Sequence, residues 1–354
     1  MVRNLATTIS VIIHTNRKHK IQAIVTIAMV FMCYVAGLVA AHYLYFQKNP
    51  KIDQTDFNPA LMDSSVRPDG DKLTNVIVPD ASDEDAVIEC ALELYYLANY
   101  NLQHDDKVAY AVNTNTEVLK VPTGGVRYTI KNGNEFFNAD YFYVPTTGGV
   151  MASLAKTASP EYTNYGYRMY YNNLTKVGRE QKAKDLSYEV LEDGSILFGV
   201  NWSDLYYDNE ITETPAEFAS SNKDYKYYNY VWNKETVLSA TVQYFEDKGY
   251  YELVVEIDAT NEDAVKDGLK ALKDGAGDEE AYYTKIVETV QIWDNGRYKE
   301  FNTMDSWASP HIHGMKRVGT TYATNDYRTT FYYDDYSLNI SNYQYSQEFI
   351  NSLS

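Results

Sequence analysis

Short turn signals set between long alternating segments constrain this chain more than any other feature. Asn132-Gly133 separates YTI from EFF, Asp193-Gly194 separates YEV from ILFGV, Asp247-Lys248-Gly249 separates VQYF from YYELVVEI, and Asn295-Gly296 separates VQIW from RYKEF. These residue types tolerate positive φ at the centre of a tight hairpin. Asn325-Asp326, between TTYA and YRTTFYY, is a fifth signal, and Pro122 to Gly125, between EVLKV and VRYTI, joins a further pair. Strands joined by turns this short run antiparallel to their neighbours, which predicts a meandering sheet. In Tyr250 to Ile257 the period of two is explicit: Tyr251, Leu253, Val255 and Ile257 share one side and Glu252 and Glu256 the other. One side is core and the other meets water.

Two segments carry helical spacing instead. Ser82 with Asp85 three residues later marks a helix start, and Val87, Cys90, Ala91, Leu94, Leu97 and Ala98 recur at three and four residues, predicting a helix over 83–103. Thr260 with Asp263 opens a second helix, which carries Val265, Leu269 and Leu272 on one face and stops at Gly275. Two helices beside many strands give an α+β, predominantly β domain in which the helices cover a sheet face.

An uncharged run from Ala23 to Ala41, extended by Ile21 and by Tyr43 to Phe46, is long enough to cross a bilayer. Arg3, Arg17, Lys18 and Lys20 precede it, so the positive-inside bias keeps the N-terminus cytoplasmic and places everything after Phe46 outside. The small residues Val39-Ala40-Ala41 also fit a cleaved secretory leader. The length of the run and the aromatic belt after it favour a retained single-pass anchor. Cys33 follows Val30-Phe31-Met32, which lacks the small residue of a lipid-attachment site. The expected organisation is therefore a basic cytoplasmic segment at 1–20, a transmembrane helix at 21–46, a spacer at 47–80 marked by Pro50, Pro59, Pro68 and Pro79, and a tyrosine-rich domain at 81–354, of one or two sub-domains.

Charge narrows the function classes. Six of the 31 Lys and Arg residues lie within residues 1–52, where no Asp or Glu occurs, leaving 25 basic against all 49 acidic residues outside the membrane, a formal charge of −24. Such a surface repels nucleic acid. The chain has two cysteines, Cys33 in the hydrophobic run and Cys90 in the domain, so no disulfide can staple the domain. This favours a bacterial cell-surface protein over a eukaryotic receptor.

The chain holds 35 tyrosines, and Tyr-Tyr pairs occur at 95–96, 170–171, 206–207, 227–228, 250–251, 282–283 and 332–333. A pair in a strand sends one ring to each face. Tyrosine suits a half-buried strand, and it also suits a ligand platform. The densest stretch nominates Tyr225, Tyr227, Tyr228, Tyr230 and Trp232 as ligand-binding residues. Catalytic signals are weaker. Ser153 and Lys156 match an S-x-x-K motif without the K-T-G that accompanies it in penicillin-binding proteins. His311 and His313, which share a side if extended, are metal candidates without a clear third ligand. The acids at 80–85 and 334–335 lack calcium-loop spacing. No cofactor and no catalytic residue is assigned.

The order of helix 83–103, the strand AYAVNTNTEVLKV, the hairpin at Lys131 to Phe137, the meander, a later helix and TVQIWDNGRYKEF resembles LolA and LppX-type envelope lipoproteins over residues 83–340 in outline. That resemblance implies a curved antiparallel sheet closing over helices around an apolar, aromatic-lined cavity that receives acyl chains. The chain departs from the family in its anchor and in lacking a lipidated cysteine. The expected function is a membrane-anchored extracytoplasmic binding protein for an apolar or lipid ligand. A surface module binding glycan or a partner protein through exposed Tyr and Trp is the alternative, and a cell-envelope hydrolase the third reading.

Overall fold

The computed structural model describes residues 58–118, 121–143, 165–172, 177–183, 186–190, 196–200, 205–211, 230–312 and 319–343. The hydrophobic run, the S-x-x-K motif and His313 lie outside the described residues, and no described helix is long and apolar enough to cross a membrane. Every element below belongs to one unit, residues 54–354.

Helix α1 (Glu84–His104) leads into strands β1 (Lys107–Val118), β2 (Val121–Asn132), β3 (Glu135–Tyr143), β4 (Tyr165–Asn172) and β5 (Val177–Ala183). Strands β6 (Leu186–Val190) and β7 (Ile196–Val200) form a separate hairpin, and β8 (Leu205–Ile211) returns to pair with β5. A second meander follows: β9 (Val237–Phe245), β10 (Tyr250–Ile257), helix α2 (Glu262–Ala276), β11 (Tyr282–Trp293), β12 (Tyr298–Ser309) and β13 (Thr321–Tyr332), closed by the short helix α3 (Asp335–Leu338). The strands make one open antiparallel sheet in the order β8-β5-β4-β3-β2-β1-β13-β12-β11-β10-β9. Its middle joint is β1 on β13, in register from Ala109↔Tyr332 to Val118↔Ala323.

Alternation within β1 builds two cores on opposite faces. Val108 and Tyr110 join a core under α1 and α2, formed with Leu253, Val255, Ile286, Val290, Phe301 and Phe331. Ala109 and Ala111 point the other way, into a second core with Tyr128, Ile130, Phe137 and Tyr141, which Ile340 and Tyr343 close. Helix α1 turns Val87, Cys90, Ala91, Leu94, Tyr95 and Ala98 inward. In β10, Leu253, Val255 and Ile257 are buried on the helix side, as their alternation requires.

Two of the expected turns are strand instead. Pro122 to Gly125 lie inside β2, where Pro122 is aligned with Glu117 of β1 near the start of the strand, and among the described residues the ladder with β3 begins at Gly124. Asn325-Asp326 is also strand: the Asn325 side chain donates to Asp305 at 2.7 Å, and that buried bond holds the backbone extended. Val76 to Val78 make no strand, and Ile77 is largely exposed. Residues 58–80 are laid along the domain as a strap. The Asn58 amide donates to Tyr336 Oη, the Asp63 amide to Asp334, the Leu73 amide to Asp294 O, and Arg67 Nε pairs with Asp294 at 2.7 Å.

Candidate functional site

Two places in the described domain hold polar chemistry that the fold alone does not require. The first is the floor beneath α1 and α2. Along β11 the inward positions are Ile286, Glu288, Val290 and Ile292, so one carboxylate sits in an otherwise apolar phase. Asp305 on β12 lies opposite Ile286, and Thr303 lies opposite Glu288, which makes the two acids diagonal neighbours on one face. Both are buried, and no Lys or Arg pairs with either among the described residues.

Their partners are neutral donors. Glu288 accepts from Thr303 Oγ1 at 2.8 Å and from the indole Nε1 of Trp232. Asp305 accepts from Tyr230 Oη at 2.8 Å and from Asn325 Nδ2 at 2.7 Å. Burial pushes the Glu288 carboxyl up to about 7, against the pull of the Trp232 and Thr303 bonds, with the nearby Asp305 charge adding to the rise. Burial pushes Asp305 up to about 6, against the bonds from Tyr230 and Asn325. The same burial raises the Tyr283 phenol to about 12.

Tyr230 and Trp232, two of the nominated ligand residues, are thus placed over these acids, 1% and 2% exposed. Trp232 also stacks on Tyr95 of α1, with ring centroids 4.1 Å apart and planes 14° from parallel. Tyr230 meets Tyr283 edge-on at 5.4 Å. Neither ring reaches solvent, and they serve the packed seam between helix and sheet. Tyr225, Tyr227 and Tyr228 lie outside the described residues. The seam between α1 and the second meander is filled by Tyr95, Trp232 and Phe301. Further along the same face, β2 and β3 present Thr129 bonded to Asn138 and Arg127 paired with Asp140 at 2.8 Å. That lining is polar where the resemblance implies an apolar one.

The second place is a groove of about 640 Å³, open to solvent, between α1 and strap residues 71–79. Leu94, Leu97 and Cys90 of α1 face Leu73, Val76 and Ile77 of the strap, while Glu89, Glu93, Asp71 and Lys72 stand among its polar lining. Burial, and then the Glu93 charge, raise the Cys90 thiol above its usual range, so the sulfur is a wall of the groove and a poor nucleophile. A smaller hollow of about 270 Å³ lies across the Glu89–Glu93 ridge, with Tyr96, Asn233 and Lys234. Exposed rings elsewhere are Tyr100 on α1 and Tyr282 and Tyr322, both aligned with Ala308 across β11, β12 and β13.

His311 sits just past β12. Its amide donates to Asp278 at 2.7 Å, and its ring Nδ1 lies 3.4 Å from Glu280. No group of three His, Cys, Asp or Glu side chains converges on a metal position among the described residues.

From the sequence Glu288 carries no role, and Asp305 enters only as a carboxylate that could join His311 and His313 at a metal, whereas the structure engages it with Tyr230 and Asn325. The signal of both acids is nevertheless present: each interrupts the apolar phase of its strand, Glu288 between Ile286 and Val290, Asp305 between Phe301 and Trp307. The groove was not legible, because half of it is strap.

The chain matches no family model and no curated protein sequence. Among solved structures it is weakly similar to an outer membrane lipoprotein-sorting protein domain from Vibrio parahaemolyticus, at 11% identity over 77% of this chain and 99% of that one, TM-score 0.20. It is also weakly similar to a DUF1329 family protein from Desulfovibrio piger, at 8% identity over 78% and 100%, TM-score 0.17, and to MucB in complex with MucA(peri), at 9% identity over 71% and 94%, TM-score 0.12. Likeness this slight carries nothing about ligand or activity.

Proposed function

We propose that the chain is an extracytoplasmic binding protein, tethered through residues 21–46, that takes a ligand with an apolar body in the groove between α1 and strap residues 71–79. The observation that carries this reading is the groove itself. Its volume of about 640 Å³ falls within the range of small-molecule sites, and it combines an aliphatic lining with charged groups that would orient a polar end. Its walls are a helix anchored by Tyr95 and an extended strap tied down at Asp294. Access from solvent requires no opening of the packed seam.

The test uses residues 54–354, delipidated and exposed to a fluorescent fatty acid, with native mass spectrometry of the protein as purified. Uptake that weakens by about tenfold in Ile77→Asp supports the reading, since Ile77 lines the groove yet is 84% exposed and contributes little to folding. Absence of both bound lipid and uptake would remove it.

A further inference from the structure

The buried acids and the chain segment that covers them carry a second role. Residues 230–236 lead into β9, and two alternate side chains of this segment reach down like pegs. Tyr230 bonds Asp305, and Trp232 bonds Glu288. The backbone between them is bound as well: the Val231 amide donates to Ala264 O in α2, and Tyr96 of α1 donates its hydroxyl to Trp232 O. Thr236 Oγ1 donates to Val231 O at 2.6 Å, and Asn233 Oδ1 receives the Glu235 and Thr236 amides. One short segment therefore fastens α1, α2, β11 and β12 together.

Among the described residues no opposite charge balances the two acids below it. Among the described residues, the titratable groups facing them are each other, Tyr230, Tyr283 of β11 and Tyr327 of β13. Thr303 comes from β12 and Asn325 from β13. Helix α1 contributes Tyr95 through its stack on Trp232, β10 contributes Val255 opposite Glu288, and α2 turns Ala264, Val265 and Leu272 inward. No cation approaches from any of these elements among the described residues. An ionised carboxylate buried without a counter-charge is costly, whereas a neutral one is not.

The surroundings also accept the neutral form without losing a hydrogen bond. Thr303 and Tyr230 bind the acids through hydroxyls, which can reverse from donor to acceptor. A proton on Glu288 can be donated to Thr303 Oγ1. A proton on Asp305 can be donated to Tyr230 Oη, whose own proton can turn to Tyr283, its neighbour in a side-chain hydrogen bond.

We propose that residues 230–236 form a proton-controlled latch, closed while the Glu288–Asp305 pair holds a proton and loosened when both acids ionise, so that mildly acidic surroundings lock α1 and α2 to the sheet. Opening brings water to the carboxylates and returns them to their ordinary titration range, so ionisation favours the open form. The pair titrates as a unit, because each charge raises the cost of the other.

Hydrogen exchange of the full-length protein, followed by mass spectrometry and corrected for the intrinsic pH dependence of exchange, tests this. The peptide over 230–237 opens at least about tenfold more at pH 8 than at pH 5.5, with β10 residues 251–257 staying protected as the reference for global unfolding. In Glu288→Gln combined with Asp305→Asn the dependence flattens, with protection at the level of the acid form. Protection of 230–237 independent of pH in the wild type overturns the latch, as does a pH dependence that survives in the double variant. Should that variant not fold, the wild-type profile decides alone.

Discussion

At the scale of single residues, Glu288 is the position whose chemistry conflicts most with its surroundings. It is fully buried, among the described residues its oxygens receive only Thr303 and Trp232, and its carboxyl is raised from an ordinary 4.5 to about 7. The folded state therefore binds more protons than the unfolded state between those values, so stability falls as pH rises from about 4.5 to about 7 and changes little from this group above that. Asp305, raised from 3.8 to about 6, acts in the same direction. Glu288→Gln keeps an acceptor for the Trp232 indole and removes the charge. Its expected effect is a gain of roughly 1–3 kcal/mol at pH 7.5 that shrinks toward pH 5. Urea unfolding at the two pH values measures it. Equal loss of stability at both would mean that hydrogen-bond geometry, not charge, governs the site.

At the scale of elements, helix α2 shows what local sequence decides. Thr260 and Asp263 predict a start one residue early, since Thr260 is engaged by Asp258, whose carboxylate takes both its amide and its hydroxyl. Asn261 is the cap instead, accepting from the Asp263 and Ala264 amides. The helix runs through Gly275 and ends at Gly277, where φ is +58° and the chain leaves the right-handed region. Asn261→Ala is expected to cost about 1 kcal/mol and Thr260→Ala clearly less, read from thermal unfolding of the two variants. Strands and hairpins were legible for a related reason: Asn132-Gly133, Asp247-Lys248-Gly249 and Asn295-Gly296 act over a few residues, and each joins the strands expected of it. Pro122 and Asn325 misled because their conformations are fixed across strands, by the ladder with β1 at Pro122 and by strand pairing together with the bond to buried Asp305 at Asn325. The site was half legible. Tyr230 and Trp232 stand out by composition, but burial beneath α1 depends on contacts that no local pattern encodes.

At the scale of the molecule, what remains to be explained is how two meanders with cores on opposite faces act as one body. The β1–β13 ladder is one joint, and it closes over a separation of more than 200 residues, so loop-closure entropy opposes its formation. The strap supplies another. Met62 packs on the second core while Leu73 and Val76 pack on the first, so residues 58–80 bridge both faces. Its polar ties fall at the ends of the strands, on Tyr336 and Asp334 after β13, on Asp294 and Asn295 between β11 and β12, and on Tyr244 of β9, which binds Lys72 Nζ at 2.6 Å. Because Pro68 is buried and accepts from Asn295 Nδ2 at 2.7 Å, the middle of the strap is fixed as well as its ends. A proline-marked tether would leave the domain unchanged when removed, whereas a strap would not. A chain beginning at Ala81 is therefore expected to lose on the order of 3 kcal/mol relative to one beginning at Gln54, from partial exposure of Met62, Leu73 and Val76 contacts and loss of the Arg67–Asp294 pair. It is also expected to lose ligand uptake, since the strap forms one wall of the groove. Urea midpoints of the two chains decide between strap and tether: coincident midpoints would leave residues 58–80 as a spacer that merely rests on the surface.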